Sequence, residues 1–145
     1  MESRVLAVDP GSQNIGIALS DPTRMIATPL TVIKHTSIEK DCQVIVRLCQ
    51  ENKVSLVVIG QALGTDGEMT PQGRHAQKLA DILRLITTIP VVLWDESGST
   101  IQARQIKLEM GVTRKKRSGH LDASAAAVIL QSYLDSQANR KNDEA

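Results

Sequence analysis

The chain has 145 residues, 41% of them hydrophobic, and a formal net charge of +1 at pH 7; that length suits one domain with a core that needs no disulfide or structural metal. The near-neutral balance neither favours nor excludes a nucleic-acid partner, but one Trp, one Tyr and no Phe disfavour a platform that stacks unpaired bases, so a nucleic acid would be held through its phosphates. No stretch is long and apolar enough to cross a bilayer, and Met1-Glu2-Ser3-Arg4 does not begin a secretory signal, so the expectation is a cytoplasmic protein with no membrane partner.

Arg4 to Asp9 reads as an apolar strand ending on a carboxylate, followed by a turn at Pro10-Gly11 and a second strand from Ile15 to Ser20. Asp21-Pro22-Thr23-Arg24 reads as a turn. Ile26 to Ile33 reads as a third strand, in which Pro29 suits an edge or a bulge. These three form an antiparallel meander. The period then changes. Thr36 and Glu39 make a capping box, and the stripe Ile38, Cys42, Ile45, Cys49 predicts a helix ending near Asn52. That stripe makes the two cysteines core thiols rather than a disulfide or a metal pair.

Val54 to Gly60 is a continuous apolar strand, buried on both faces. A polar loop from Gln61 to Thr70 carries turn signals at Gly64, Asp66 and Gly67. Thr70-Pro71 opens a second helix with the stripe Ala76, Leu79, Leu83, Ile86. Val91 to Trp94 is a short fifth strand. Ser99 with Gln102 caps a third helix that runs to Met110 and stops at Gly111. The cations Arg114-Lys115-Lys116-Arg117, beside Ser118-Gly119, read as a loop, and a last helix runs from about His120 to Ser136. Gln137 to Ala145 reads as a flexible polar tail. The order implies an α/β fold over residues 1–136, one domain with a mixed five-stranded sheet and helices on both faces.

Three acidic positions stand at the edges of apolar elements: Asp9, the pair Asp95-Glu96, and Asp122. Each has a plain structural reading. Asp9 could close the Gly11 turn, Asp95 or Glu96 could be turn residues, and Asp122 could complement a helix N-terminus. Taken together they say more. A carboxylate at the tip of a buried strand is costly unless paired. Parallel strands one, four and five present their C-terminal ends on one side, where ligands bind. On the last helix Asp122 shares a face with Ala126, Ile129 and Tyr133, and packing across that side brings it within reach of Asp9. Clustered carboxylates repel unless a cation joins them, and an oxygen-only donor set selects Mg²⁺ or Mn²⁺. A pair of such ions roughly 3.5–4 Å apart activates water and stabilises a leaving oxygen in phosphodiester cleavage.

Val8-Asp9-Pro10-Gly11 through Gly16-Ile17-Ala18, Val57-Val58-Ile59-Gly60, Thr65-Asp66-Gly67, Asp95-Glu96-Ser97 and Leu121-Asp122-Ala123-Ser124-Ala125-Ala126 together resemble the YqgF/RuvX family. Its members are described as pre-16S rRNA nucleases and Holliday-junction-resolvase-like proteins. The resemblance runs from about Val5 to Leu134; each motif alone is weak, and their order and spacing are specific. It implies a ribonuclease H-like fold and a Mg²⁺- or Mn²⁺-dependent nuclease, with Asp9, Glu96 and Asp122 as catalytic metal ligands and products carrying a 5′-phosphate and a 3′-hydroxyl. Arg114, Lys115, Lys116 and Arg117 then neutralise the flanking backbone, while His120 reads as an ordinary helix-start residue. Two departures stand out. Gly60-Gln61-Ala62 replaces the family's usual Gly-Leu-Pro, and Asp95-Glu96-Ser97-Gly98 replaces Asp-Glu-Arg-Leu. The second removes an arginine suited to phosphate, for which Arg104 in the following helix is the candidate substitute.

The leading expectation is processing of the pre-16S rRNA 5′ end. The alternatives are resolution of four-way DNA junctions and a non-catalytic, ribosome-associated factor on the same fold. A sugar-kinase-like phosphotransferase fits Asp9-Pro10-Gly11 with Gly16, but needs a second lobe that this chain does not supply. The partner is therefore precursor rRNA or branched DNA, and the protein a monomer or a homodimer.

Overall fold

The computed structural model describes residues 3–62, 68–95 and 117–144, with side chains in the last stretch from 123 to 139. The elements are β1 (Arg4–Pro10), β2 (Asn14–Ser20), β3 (Ala27–Lys34), α1 (Ile38–Glu51), β4 (Val54–Gln61), α2 (Pro71–Ile86), β5 (Val91–Asp95) and α3 (Arg117–Glu144). The five strands form one sheet in the order β3-β2-β1-β4-β5. β1 pairs antiparallel with β2, β2 antiparallel with β3, β1 parallel with β4, and β4 parallel with β5. This is the mixed sheet expected from the pattern.

Pro29 lies where expected. β3 is an edge strand, and its register against β2 shifts between Ile17 and Ala18, which pair with Thr31 and Pro29 and leave Leu30 as the extra residue. A residue without an N–H is tolerated there because no further strand needs one.

The sheet is apolar on both sides. Leu6, Val8, Ile15 and Ile17 face the stripe of α1 (Cys42, Ile45, Cys49) and of α2 (Ala76, Leu79, Leu83). Val5, Ala7, Ala18 and Val58 face α3 through Ala126, Ile129 and Leu130. Strands covered on both faces read as continuous hydrophobic runs, as β1 and β4 do. Cys42 and Cys49 are buried, free thiols. No helix among the described residues is long and apolar enough to cross a membrane.

Several boundaries differ from the sequence reading. The cap of α1 is Ser37, not Thr36: its side chain accepts from the Lys40 N–H at 3.2 Å. Thr36 instead turns to a buried carboxylate, its N–H donating to Asp41 Oδ1 at 3.2 Å. On α2, Ile86 is 47% exposed; it is the last residue of the helix, and the buried stripe ends at Leu83. Arg117 belongs to α3 rather than to the basic loop, and the residues from Gln137 continue that helix to Glu144; no glycine or proline in that stretch stops it. The predicted helix from Ser99 to Met110 and the turn signals at Gly64, Asp66 and Gly67 lie outside the described residues.

Candidate functional site

β1, β4 and β5 run parallel and finish on the same edge of the sheet, at Pro10, Gln61 and Asp95. Asp9, half-buried, is the penultimate residue of β1. Side chains alternate along a strand. Val5 and Ala7 pack on the α3 side, so Asp9 takes that side too. It pairs across β2 with Gly16, and the parallel register that sets Val8 beside Ile59 puts Gly60 next to it on β4. The carboxylate is thus bordered on both flanks by residues without side chains.

The same alternation separates Asp95 from Asp9. Val92 and Trp94 pack on the α3 side, Val91 and Leu93 on the side of α1 and α2. Asp95 follows Trp94, is exposed, and takes the side opposite to Asp9. Glu96 lies outside the described residues, as do Arg104, Arg114, Lys115 and Lys116. Arg117 and Asp122 are placed only as backbone positions of α3.

The position of α3 on the sheet is set by its described residues. Gln131 Oε1 accepts from the Ala27 N–H, and its Nε2 donates to the Met25 carbonyl, each at 2.9 Å. Ala27 pairs with Ser20, whose Oγ accepts from the Val5 N–H at 2.8 Å, so Gln131 is level with Val5. Trp94 Nε1 donates to Ser132 Oγ at 3.3 Å, and its ring stands edge-on to Tyr133. From Gln131 back to position 122 is nine residues, about 13–14 Å of helix. From Val5 to Asp9 is four residues, about 13 Å of strand.

Among the described residues no group of three or more His, Cys, Asp or Glu gathers to hold a metal ion. The set read from the sequence needs Glu96 and Asp122, so of its three members only Asp9 is seen with its side chain.

Two features at this edge escaped the sequence reading. Gln61, at the position where the resembling family has leucine, is 9% exposed and donates from Nε2 to the Gly73 carbonyl at 3.2 Å. With Thr70, whose hydroxyl donates to the Ala62 carbonyl, it fastens the first turn of α2 to the end of β4. Gly73 makes that approach possible, since a Cβ there would stand 2.9 Å from Met69 Sδ and 3.0 Å from the Ala62 carbonyl oxygen. The second feature is Asp41, 1% exposed, which gathers His35 and Thr36 around it. A polar residue one place outside an apolar stripe gives no sign of such burial.

The family description RuvX, Holliday junction resolvase, matches residues 3–136. A protein of Thermoanaerobacter pseudethanolicus is 36% identical over 138 residues, covering 94% of this chain and 99% of its own length. One of Caldanaerobacter subterraneus is 40% identical over 137 residues, with the same coverage of 94% and 99%. Both bear the name "Putative pre-16S rRNA nuclease". Among solved structures, T. thermophilus RuvC in complex with a Holliday junction substrate superposes with a TM-score of 0.59 at 13% identity, over 93% of this chain and 95% of that one. The fowlpox virus Holliday junction resolvase does so with a TM-score of 0.56 at 15% identity, over 92% and 99%. At such identities the likeness establishes the fold, which is ribonuclease H-like.

Proposed function

The chain belongs to the RuvX Holliday junction resolvase family, and we propose that it is a Mg²⁺- or Mn²⁺-dependent endonuclease acting on structured nucleic acid, with the pre-16S rRNA 5′ end as its substrate. One observation carries the reading. Asp9 stands at the carboxyl edge of three parallel strands, on the α3 side, flanked by Gly16 and Gly60. α3 packs on the same side of the sheet as Asp9, the side on which Asp122 would join it. The opposite face taken by Asp95 favours Glu96 as the third acid.

Joined by two further acids, the half-buried carboxylate of Asp9 would make an oxygen-only donor set, which fits Mg²⁺ or Mn²⁺. Asp9, Glu96 and Asp122 would hold the ion. When bound, it supplies positive charge against the developing negative charge of the phosphodiester and lowers the pKa of water. The chain's part is to present these three oxygen donors on one side of a rigid sheet, so that a water attacks in line and leaves a 5′-phosphate and a 3′-hydroxyl. Arg114, Lys115, Lys116 and Arg117 neutralise neighbouring phosphates, with Arg104 in place of the arginine absent after Glu96.

Precursor rRNA is preferred over four-way DNA because relatives at 36% and 40% identity carry the rRNA name, whereas the likeness to resolvase structures is one of fold. The setting for that substrate is the cytoplasm. The chain acts as a monomer or a homodimer, a four-way junction requiring the two-fold dimer.

The test is Asp9→Asn, Glu96→Gln and Asp122→Asn, each assayed with Mg²⁺ on structured precursor rRNA and on a four-way DNA junction. Cleavage should be lost in all three, and the unaltered chain should cut the RNA faster. Cleavage retained by Asp9→Asn overturns the mechanism; faster cutting of the junction transfers the assignment to DNA.

A further inference from the structure

At the same edge, on the side of α1 and α2, three ionisable side chains meet that the nuclease reading leaves unused. His35 follows β3, Asp41 lies in the first turn of α1, and His75 near the start of α2. Asp41 Oδ2 meets His35 Nδ1, while Oδ1 accepts from the Thr36 N–H. The His35 ring stands edge-on to that of His75, with centroids 5.7 Å apart and planes at 86°. His75 Nε2 is buried and finds no hydrogen-bond partner among the described residues.

These side chains hold segments that frame Asp9. The His35 backbone N–H donates to the Gln13 carbonyl at 2.9 Å, tying the hairpin after Asp9 to the segment between β3 and α1. His75 lies two residues beyond Gly73, whose carbonyl takes the Gln61 amide at the end of β4. The cluster therefore joins the β1–β2 hairpin, the start of α1 and the start of α2. A proton on His75 finds poor reception. Burial disfavours the charged ring, His35 and Lys78 oppose it, and only Asp41 favours it. Both oxygens of Asp41 are already engaged, by His35 and Thr36, and a buried N–H without an acceptor is costly.

We propose that His35 and His75 are positioning residues that form a proton-sensitive latch: with the His75 ring neutral the three segments close around Asp41 and hold the carboxylate-bearing edge in shape, and protonation of His75 releases them and silences the site in acid. His75 in the folded chain sits below its ordinary value, so the folded state binds fewer protons than the unfolded one. The latch is then fully closed above pH ~6.5, the ordinary histidine value, and weakens as pH falls below it.

That the latch governs cleavage rests on the nuclease reading; that it exists does not. Two measurements keep these apart. In the full-length unaltered protein, the imidazole carbon-bound protons of His75 followed by NMR should titrate below pH ~6.5, and the amides of Gln13 and His35 should shift with the same midpoint. Titration of His75 at or above that value, or hairpin amides that do not follow, overturns the proposal whatever the enzyme does. His75→Gln keeps a polar side chain without the titration, and the acid limb of the Mg²⁺-dependent cleavage profile should flatten, the drop from pH 7 to 5.5 shrinking at least threefold. An unchanged acid limb in the folded variant overturns the link to the site; should that variant fail to fold, the NMR titration decides alone.

Discussion

Replacing Ala126 with leucine tests whether α3 is the element that sets the acid at position 122. Ala126 is fully buried against the α3 side of the sheet, in the cluster that holds Val5, Ala7, Ala18 and Val58, and it lies one turn after position 122. Forcing three more carbons into a packed seam costs about 1–3 kcal/mol. At about 2.1 cal/mol/K per residue, a chain of this length loses about 3 °C of melting temperature per kcal/mol, hence about 3–10 °C for this variant. Leu134, 4% exposed in the same cluster, is the control. It lies about 18 Å along the helix from position 122, and Leu134→Ala should cost about 2–5 kcal/mol, or about 7–16 °C. On stability alone the control is the worse variant. On single-turnover cleavage at 25 °C, where both are folded, the order should invert. Ala126→Leu lifts α3 off the sheet beside the acid, and a shift of about 1 Å is enough to cost on the order of 10²-fold; Leu134→Ala should cut near the unaltered rate. Circular dichroism melts and a Mg²⁺ cleavage assay on structured RNA read the two quantities. A cleavage loss that simply follows the melting temperatures, largest in Leu134→Ala, refutes the reasoning.

Asp21 closes the β2–β3 turn, taking the Met25 and Ile26 N–H groups on Oδ1 at 2.8 Å each and the Thr23 hydroxyl and N–H on Oδ2. These bonds, the Thr23 hydroxyl foremost, hold its carboxyl well below the usual carboxylate range. Its stabilisation is therefore complete above pH ~3.9, the ordinary aspartate value, and drains as pH falls further. Melting temperatures from pH 5 to pH 2 should fall less steeply in Asp21→Asn than in the unaltered chain, and parallel curves would contradict the assignment. Burial pushes the thiols of Cys42 and Cys49 up to about 11, so neither should react with a thiol reagent in the native protein at pH 8. Both should react in denaturant, and native reaction at the rate of a free thiol would show that the α1 stripe is not packed as described.

Where a single period governed burial, the sequence was legible. The runs of β1 and β4 and the stripe of α1 fall where alternation and helical spacing put them, because the strands bury both faces under helices and α1 buries its stripe on the sheet. Legibility fails where a residue's fate is decided by a distant neighbour. Ile86 continues the α2 stripe by number, but it is the last residue of the helix and stands exposed. Thr36 satisfies the capping pattern, yet Asp41 takes its backbone and leaves the cap to Ser37. His35, Asp41 and His75 meet only because β3, α1 and α2 begin or end at one edge, and no local spacing announces that.

The site itself divides along the same line. That acids stand at the ends of β1 and β5 is visible in the order of residues alone, but Asp95 and Glu96 are then equivalent. They cease to be so once the sides of the sheet are known. Counting from Ala7 puts Asp9 on the α3 side, and counting from Trp94 puts Asp95 on the other. Asp95 is thus the member of the pair that does not share the side taken by Asp9. The same count gives Gly16 and Gly60 a purpose beyond turn-making. Each lies inside a strand, beside Asp9 and on its side of the sheet. Paired side chains on one face stand about 4.5–5.5 Å apart, so a larger residue at either position would crowd the carboxylate from the flank. On the proposed nuclease reading, access to Asp9, rather than backbone freedom, is what these two glycines would supply.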